Sequence, residues 1–316
     1  MPELPEVEAL RRGLVQRIIG SKILEIKVLN EKIISGKGTT RKADKNKTKE
    51  FTNNLIGKKI VEIKRRAKNL IFVLNSGEII LVHLKMTGQL VFVPKTKSPP
   101  NPLFTERGGI VHGGHPIQES ENTLPHKHTY IIFNLDTGTL FYNDVRQFGY
   151  VLYYKNENIL ESQKHFDKIG VEPFDKEFTL KYFQNQIERL KNKKSQKSIK
   201  KILLDQEIVV GCGNIYCDEV LWASSVLPAR LAKSLKEKEV EKIYKNILRI
   251  LDKAINSGGS SVANYLLADG KRGNYADYHK VYQKQNTHCK FPKCTGIIKK
   301  ENLFGRGTHF CPVHQR

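Results

Sequence analysis

The period of the apolar residues changes once along this chain, and that change limits the folds open to it. From residue 23 to 154 the apolar side chains gather in short runs rich in β-branched residues, at 23–29, 60–64, 70–74, 79–84, 90–93, 129–135, 140–143 and 149–154. Asn75-Ser76-Gly77 and Asp136-Thr137-Gly138 sit between successive runs as hairpin turns. From about Phe178 the spacing becomes helical, over 178–190, 199–204, 214–224 and 236–255, the last with Val240, Ile243, Ile247 and Leu251 on one face. Ahead of the strands, Val7, Leu10, Leu14 and Ile18 form a helical stripe over residues 5–19, with Pro5 in the first turn, Glu6 and Glu8 at its positive end and Gly20 as its stop. Strands followed by helices predict an α+β chain built on an antiparallel sandwich or barrel, not alternating βα units.

Two stretches interrupt the strand region. Residues 31–54 carry seven Lys/Arg and three acids, and residues 94–127 hold six of the twelve prolines with Gly108, Gly109, Gly113 and Gly114. Both read as loops or disordered insertions. Between the first two helices of the second half, residues 191–201 contain six lysines, either a solvated linker or a phosphate-facing segment.

The length of 316 residues suggests two domains, at about 100–200 residues each. Lys and Arg total 54 against 32 Asp and Glu, a net charge of +22, while 39% hydrophobic residues suffice for a core. The excess is therefore a basic surface on a folded protein, and its partner is a polyanion. A membrane role is excluded on the expectation that runs such as 79–82 fall far short of the ~20 residues a span needs. Glu3, Glu6, Glu8, Arg11 and Arg12 break up the place where the apolar part of a signal peptide would lie. A cytoplasmic protein that binds nucleic acid is expected.

Three of the five cysteines fall in the last 28 residues. Cys289 and Cys294 are separated by four residues, sixteen more precede Cys311, and two separate it from His314. Two close ligand pairs joined by a span of hairpin length fit tetrahedral zinc, one structural Zn2+ per chain. His288 and His309 compete as ligands. So short a segment buries little, and the metal would supply its folding energy.

At the other end, Met1-Pro2-Glu3 places a proline where removal of the methionine would expose a secondary amine. An α-amino group has a pKa of roughly 7.7–8.0 against ~10.4 for lysine, so more of it is unprotonated at neutral pH. Such an amine can attack a sugar C1′ carbon, with Glu3 beside it to move protons. An N-terminal proline alone does not establish that chemistry.

The segment Pro2-Glu3-Leu4-Pro5-Glu6-Val7-Glu8 closely resembles the N-terminus of the formamidopyrimidine-DNA glycosylases, bacterial enzymes that excise oxidised purines. The resemblance continues in family order through Arg65-Arg66-Ala67-Lys68, His83-Leu84-Lys85-Met86-Thr87-Gly88, Asp144-Val145-Arg146-Gln147-Phe148-Gly149 and Val210-Gly211-Cys212-Gly213-Asn214-Ile215-Tyr216. Ala268-Asp269-Gly270-Lys271, Val281-Tyr282 and the cysteine hairpin complete it. The resemblance implies an N-terminal β-sandwich domain with a leading helix over 1–155, a helical helix-two-turn-helix domain over 156–280 and a zinc-finger β-hairpin over 281–316. It implies a monomer acting on damaged double-stranded DNA.

Carried across residue by residue, Pro2 is the Schiff-base nucleophile, Glu3 the acid/base and Lys68 a phosphate holder beside the lesion. Met86, Arg146 and Phe148 fill the gap left when the damaged nucleotide turns out, an apolar wedge with donors for the orphaned base. Asn214 and Arg306 grip phosphates, Lys200 lies near the lesion pocket, and His83 and Tyr282 are further phosphate contacts. Taken singly, Met86 and Phe148 would read as core residues, Asn214 as a helix cap and the lysines as exposed charge.

The chain departs from the family pattern in the four-residue gap of its first cysteine pair and in ending that site with His314. Val145 and Gln147 stand where proline and arginine are usual, and Lys85 where glycine is usual. The segments 31–54 and 94–127 have no counterpart in that pattern. A related family, the endonuclease VIII enzymes, prefers oxidised pyrimidines; Leu4 and the segment from Gly258-Gly259-Ser260-Ser261 to Gly273 favour purines. A non-enzymatic damaged-DNA binder would have no use for Pro2, Glu3 and Lys68 together.

Overall fold

The computed structural model describes residues 1–95, 111–113, 124–192, 195–260 and 273–316. It divides into two compact units, Met1–His165 with Gly258–Asn274, and Phe166–Ser257 with Tyr275–Arg316.

The first unit opens with helix α1 (Leu4–Ile18), whose buried stripe includes the expected Val7, Leu10, Leu14 and Ile18. Strands β1 (Ile23–Val28), β5 (Gly88–Pro94), β6 (Val111–Gly113), β7 (Thr129–Leu135) and β8 (Gly138–Asp144) form one sheet in the order β1-β7-β8-β5-β6. Strands β2 (Ile60–Arg66), β3 (Asn69–Leu74), β4 (Ile79–His83) and β9 (Tyr150–Tyr154) form the other, in that order. The named pairs in both sheets are antiparallel. Alternate residues from each, among them Leu90, Phe92, Ile131, Phe133 and Tyr142 against Ile63, Leu70, Phe72, Ile80 and Val82, share one core, as the period of two requires. The predicted sandwich is the fold observed. The turn at 136–138 needs its glycine, because a Cβ at Gly138 would overlap the Val93 carbonyl oxygen.

Residues 31–54 correct the expectation of a loop. A 3-10 turn (Glu31–Ile33) is followed by helix α2 (Lys45–Leu55), with Phe51 and Leu55 buried. The Asp44 carboxylate starts it by accepting the N–H groups of Asn46 at 3.0 Å and Lys47 at 3.1 Å. Two apolar side chains four residues apart were enough to seat a short charged helix, since they fall on one face. Asp44→Ala is expected to cost about 1 kcal/mol and to lower the melting temperature by roughly 2–4 °C; an unchanged calorimetric melt would show that the cap contributes nothing. Within 94–127, residues 111–113 form edge strand β6 against β5, whereas 96–110 and 114–123 lie outside the described residues. So do Ala268-Asp269-Gly270-Lys271 and the remainder of 261–272. A short helix α3 (Glu157–Ser162) follows β9.

The second unit contains α4 (Leu180–Asn192), α5 (Ile199–Leu204), α6 (Asn214–Ser224), α7 (Glu237–Asn256) and the hairpin of β10 (Lys299–Leu303) and β11 (Arg306–Phe310). Helix α7 buries Val240, Ile243, Ile247 and Leu251 as its spacing predicts, against Tyr216, Cys217, Val220 and Leu221 of α6. The α+β class, with a helical region and a terminal β-hairpin, is as expected. Among the described residues no helix is long and apolar enough to cross a membrane.

Candidate active site and metal centre

In the first unit the start of α1 is held by its own acids. The Glu6 carboxylate accepts the backbone N–H of Glu3 at 2.8 Å, the reciprocal contact of a capping box. Its second oxygen accepts the N–H of Ser260 at 2.7 Å, and a Cβ at Gly259 would crowd it. Glu3 is 3% exposed and Lys68 7%. The terminal amine, on Met1 in this chain, has its pKa lowered below 8.0: burial disfavours the ammonium and Lys68 adds to this, against the opposing pull of Glu3 and Glu6. A partly desolvated amine with a buried carboxylate two residues along the chain is an arrangement suited to nucleophilic attack.

Lys68 owes its position to the two-residue turn between β2 and β3, in which Ala67 adopts φ +53°. Glu8 ties that hairpin to α1. Its carboxylate accepts Arg11 at 2.7 Å, Arg12 at 3.0 Å and Arg65 at 3.2 Å, while Arg65 also donates to the Ala67 carbonyl at 3.1 Å. Burial alone would raise the Glu8 pKa, but the arginines hold it below the usual carboxylate value. Spacing alone gives Glu8 a place at the positive end of the helix, not this role as a tie between α1 and the hairpin.

Asp144 does the same for the expected gap-filling residues. Its buried carboxylate accepts the Thr87 hydroxyl, the Arg146 N–H at 3.2 Å and the Gly149 N–H at 2.7 Å. Thr87 in turn accepts the Arg146 N–H at 2.9 Å, so the turn carrying Met86 is bonded to the loop carrying Arg146 and Phe148. Met86 is 37% exposed, and the Arg146 guanidinium lies over the Phe148 ring at 4.5 Å. Gly149 is required here, because a Cβ would run into the Tyr142 hydroxyl. Neither Met86, exposed, nor Phe148, half-buried, is core.

His83 stands between Asn69 and Tyr150 across β3, β4 and β9. Its Nδ1 lies 3.0 Å from the Lys85 N–H, which leaves the neutral ring's proton on Nε2. Burial first, then Lys85 and Lys68, push its pKa well below 6.5. It is thus a neutral donor, not a cation.

In the second unit Lys200 departs from expectation. Placed by sequence beside the lesion pocket, its side chain is 0% exposed, with Nζ 2.6 Å from Asp218 and 2.7 Å from the Thr308 hydroxyl. It joins α5, α6 and β11 and does not reach solvent. Asp218 also accepts the His309 N–H at 2.8 Å. Asn214 opens α6 and donates to the Gly307 carbonyl at 2.8 Å, while exposed Arg306 follows the turn at Phe304 and Gly305. Tyr282 is fixed through its backbone: buried Glu219 accepts the N–H groups of Lys280, Val281 and Tyr282 at 2.9–3.1 Å. Adjacent acids in an otherwise apolar helix, Asp218-Glu219, were the unused signal in the sequence.

Cys289, Cys294, Cys311 and His314 converge, their ligand atoms all within 4.8 Å of one another. Cys289 Sγ to His314 Nδ1 is 3.3 Å and Cys294 Sγ to Cys311 Sγ is 3.6 Å, near the ~3.5–3.8 Å edges of a tetrahedron with zinc–ligand bonds of 2.0–2.3 Å. The surroundings fit a metal as well. His314 Nε2 lies 3.0 Å from the Trp222 carbonyl, which directs Nδ1 to the centre, and Trp222 Nε1–H and the Gly296 N–H each donate to a cysteine sulfur at 3.3 Å. Of the competing histidines, His309 is turned to Asp218 at 3.2 Å and His288 is not in the cluster.

Residues 1–151 match the model of the formamidopyrimidine-DNA glycosylase N-terminal domain, and residues 169–265 that family's H2TH domain. The chain is 36% identical to the formamidopyrimidine-DNA glycosylase of Carboxydothermus hydrogenoformans and 38% identical to that of Streptococcus mutans, covering 100% of both chains in each case. A solved complex of Lactococcus lactis Fpg with DNA containing an abasic site superposes with a TM-score of 0.79 at 32% identity, covering 99% of each chain. A variant of that protein bound to DNA containing Fapy-dG gives 0.79 and 32% over 100% of each chain. Full-length similarity at this level, with both domain models met in order, shows that the chain belongs to the formamidopyrimidine-DNA glycosylase family of DNA-repair enzymes.

Proposed function

We propose that this chain excises oxidised purines, 8-oxoguanine and formamidopyrimidines, from duplex DNA and then cleaves the abasic strand. The observation that carries the reading is the buried Glu3 carboxylate adjacent in sequence to Pro2 at the head of α1, in a chain whose residues 1–151 match the formamidopyrimidine-DNA glycosylase N-terminal domain. After loss of Met1, the Pro2 nitrogen attacks C1′ of the damaged nucleotide as the bond to the base breaks. Glu3 protonates the ring oxygen, the sugar opens, and an iminium links Pro2 to C1′. The iminium makes the C2′ proton acidic; the Glu3 carboxylate, left deprotonated by its transfer to the ring oxygen, takes that proton as the 3′ phosphate leaves, loss of the C4′ proton to water then expels the 5′ phosphate, and water hydrolyses the iminium to free Pro2.

Lys68 holds a phosphate beside the reacting sugar, and His83 donates from its neutral ring to another. Met86, Arg146 and Phe148 occupy the gap, and Asn214, Arg306 and Tyr282 contact the backbone around it. Cys289, Cys294, Cys311 and His314 hold one structural Zn2+. In this scheme 1–155 carries the chemistry, 156–280 the helical DNA contacts and 281–316 the metal hairpin. Purine preference is supported by Leu4, by the likeness in sequence of the segment from Gly258-Gly259-Ser260-Ser261 to Gly273 to the purine-lesion loop, and by the Fapy-dG DNA bound to the Lactococcus lactis variant.

Borohydride treatment with a duplex carrying 8-oxoguanine opposite cytosine tests this. A covalent adduct is expected with the native chain and none with Pro2→Gly. No adduct with either 8-oxoguanine or an abasic site would refute the enzymatic mechanism, and stronger trapping on thymine glycol would move the preference to oxidised pyrimidines.

A further inference from the structure

The loop that carries Arg146 and Phe148 is held from outside its own motif. Gln147, between them, adopts φ +53°, a left-handed conformation that a non-glycine residue keeps only when its surroundings impose it. Three hydrogen bonds to Gln147 supply that constraint, and a fourth holds Arg41. Arg41 Nη2 donates to the Gln147 carbonyl at 2.7 Å, and Arg41 Nη1 to the Gly36 carbonyl at 3.2 Å. Asn30 Nδ2 donates to Gln147 Oε1 at 3.1 Å, and Gln147 Nε2 to the Tyr130 hydroxyl at 2.9 Å. Gln147 is thus engaged on its backbone and at both ends of its amide, and Arg146 and Phe148 on either side stack on each other.

Arg41 belongs to the basic segment 31–54, which the family motifs do not account for. It meets two backbone carbonyls through two nitrogens of one rigid fork, a geometry that lysine cannot reproduce with a single nitrogen. The strap also has a firm anchor, since the same segment continues into α2 with Phe51 and Leu55 in the core.

We infer that Arg41 is a positioning residue for base extrusion: it fixes the backbone between Arg146 and Phe148 so that both side chains are preset to enter the gap. The inference rests on the gap-filling reading of those two residues. It assigns the segment 31–54 a part in lesion processing beyond general attraction to DNA. An intact lesion must be unpaired and unstacked before reaction, whereas an abasic nucleotide has no base to extrude. The strap should therefore matter for the first substrate and not for the second.

Single-turnover rates of Arg41→Ala and Arg41→Lys on an 8-oxoguanine:cytosine duplex, and of nicking on an abasic duplex, test the proposal. Arg41→Ala is expected to slow base excision by about tenfold, the scale of a modest misplacement at a reacting site, with abasic nicking within about twofold of native as the control for folding. Arg41→Lys should be slowed to a similar degree, because charge is kept and the bridge is lost. Full activity in Arg41→Lys would show that only charge matters and overturn the inference, as would native excision rates in Arg41→Ala. Arg146→Ala and Phe148→Ala, run alongside, separate the two failures: if they are impaired and Arg41→Ala is not, only the strap is wrong. If they too excise at the native rate, the gap-filling reading falls and takes the strap with it.

Discussion

Removing the metal from the Cys289, Cys294, Cys311 and His314 centre is expected to unfold the terminal hairpin and abolish DNA binding. Zinc contributes about 10–16 kcal/mol to the folding of small finger segments at neutral pH, far more than so short a hairpin gains by burial. The loss should not stay local. Cys289, Cys311 and Ile298 pack with Trp222 and Val281, and Thr308 and His309 are bonded to Lys200 and Asp218. Trp222 reports the event directly, being the one tryptophan in the chain, with its Nε1 3.3 Å from Cys289 Sγ and its ring edge-on to His314. Chelation, or Cys311→Ser, should therefore shift tryptophan emission to the red as affinity for duplex DNA is lost, with metal content followed by mass spectrometry. Unchanged emission and binding in metal-depleted protein would mean that the hairpin stands without an ion.

Lys200→Met should be among the most destabilising single changes in the second unit. Removing one partner of a buried ion pair leaves the other charged and unpaired, at a cost of about 3–5 kcal/mol. That corresponds to a fall of roughly 6–20 °C in the melting temperature of a unit this size. Asp218 cannot be relieved simply, since its second oxygen is committed to His309. The measurement also separates the structural role from the one expected by sequence. A DNA contact would lose binding with little change in melting, whereas the buried bridge should lose stability first, visible by calorimetry without DNA. A melt within about 1 °C of native would return Lys200 to the DNA-facing set.

Much of the architecture was written in local pattern. A period of two with turn residues between runs produced the two sheets, and a period near 3.6 produced α1, α6 and α7, because which face a side chain takes depends on its near neighbours. The α2 helix is not legible in the sequence, since Phe51 and Leu55 are only two apolar residues among many charges; the core they meet, including Phe133, lies some eighty residues downstream. At the candidate site, the residue types could be picked out from motifs, but not what holds them. Glu8, Asp144 and Glu219 act by accepting several donors at once; those of Glu8 and Asp144 come from different elements, and those of Glu219 from a segment some sixty residues downstream.

By itself, then, the sequence determined the class of fold, the order of its parts, the basic surface and the four residues able to bind a metal, all properties of spacing and composition. Tertiary structure alone decided that Lys200 is sealed in an ion pair while Arg306 stays exposed, that His309 turns to Asp218 and His314 to the cysteines, and that Arg41 reaches Gln147. The reason is physical. Whether a charge is buried, and with what partner, depends on atoms brought together from far along the chain, and no spacing within a segment records that meeting.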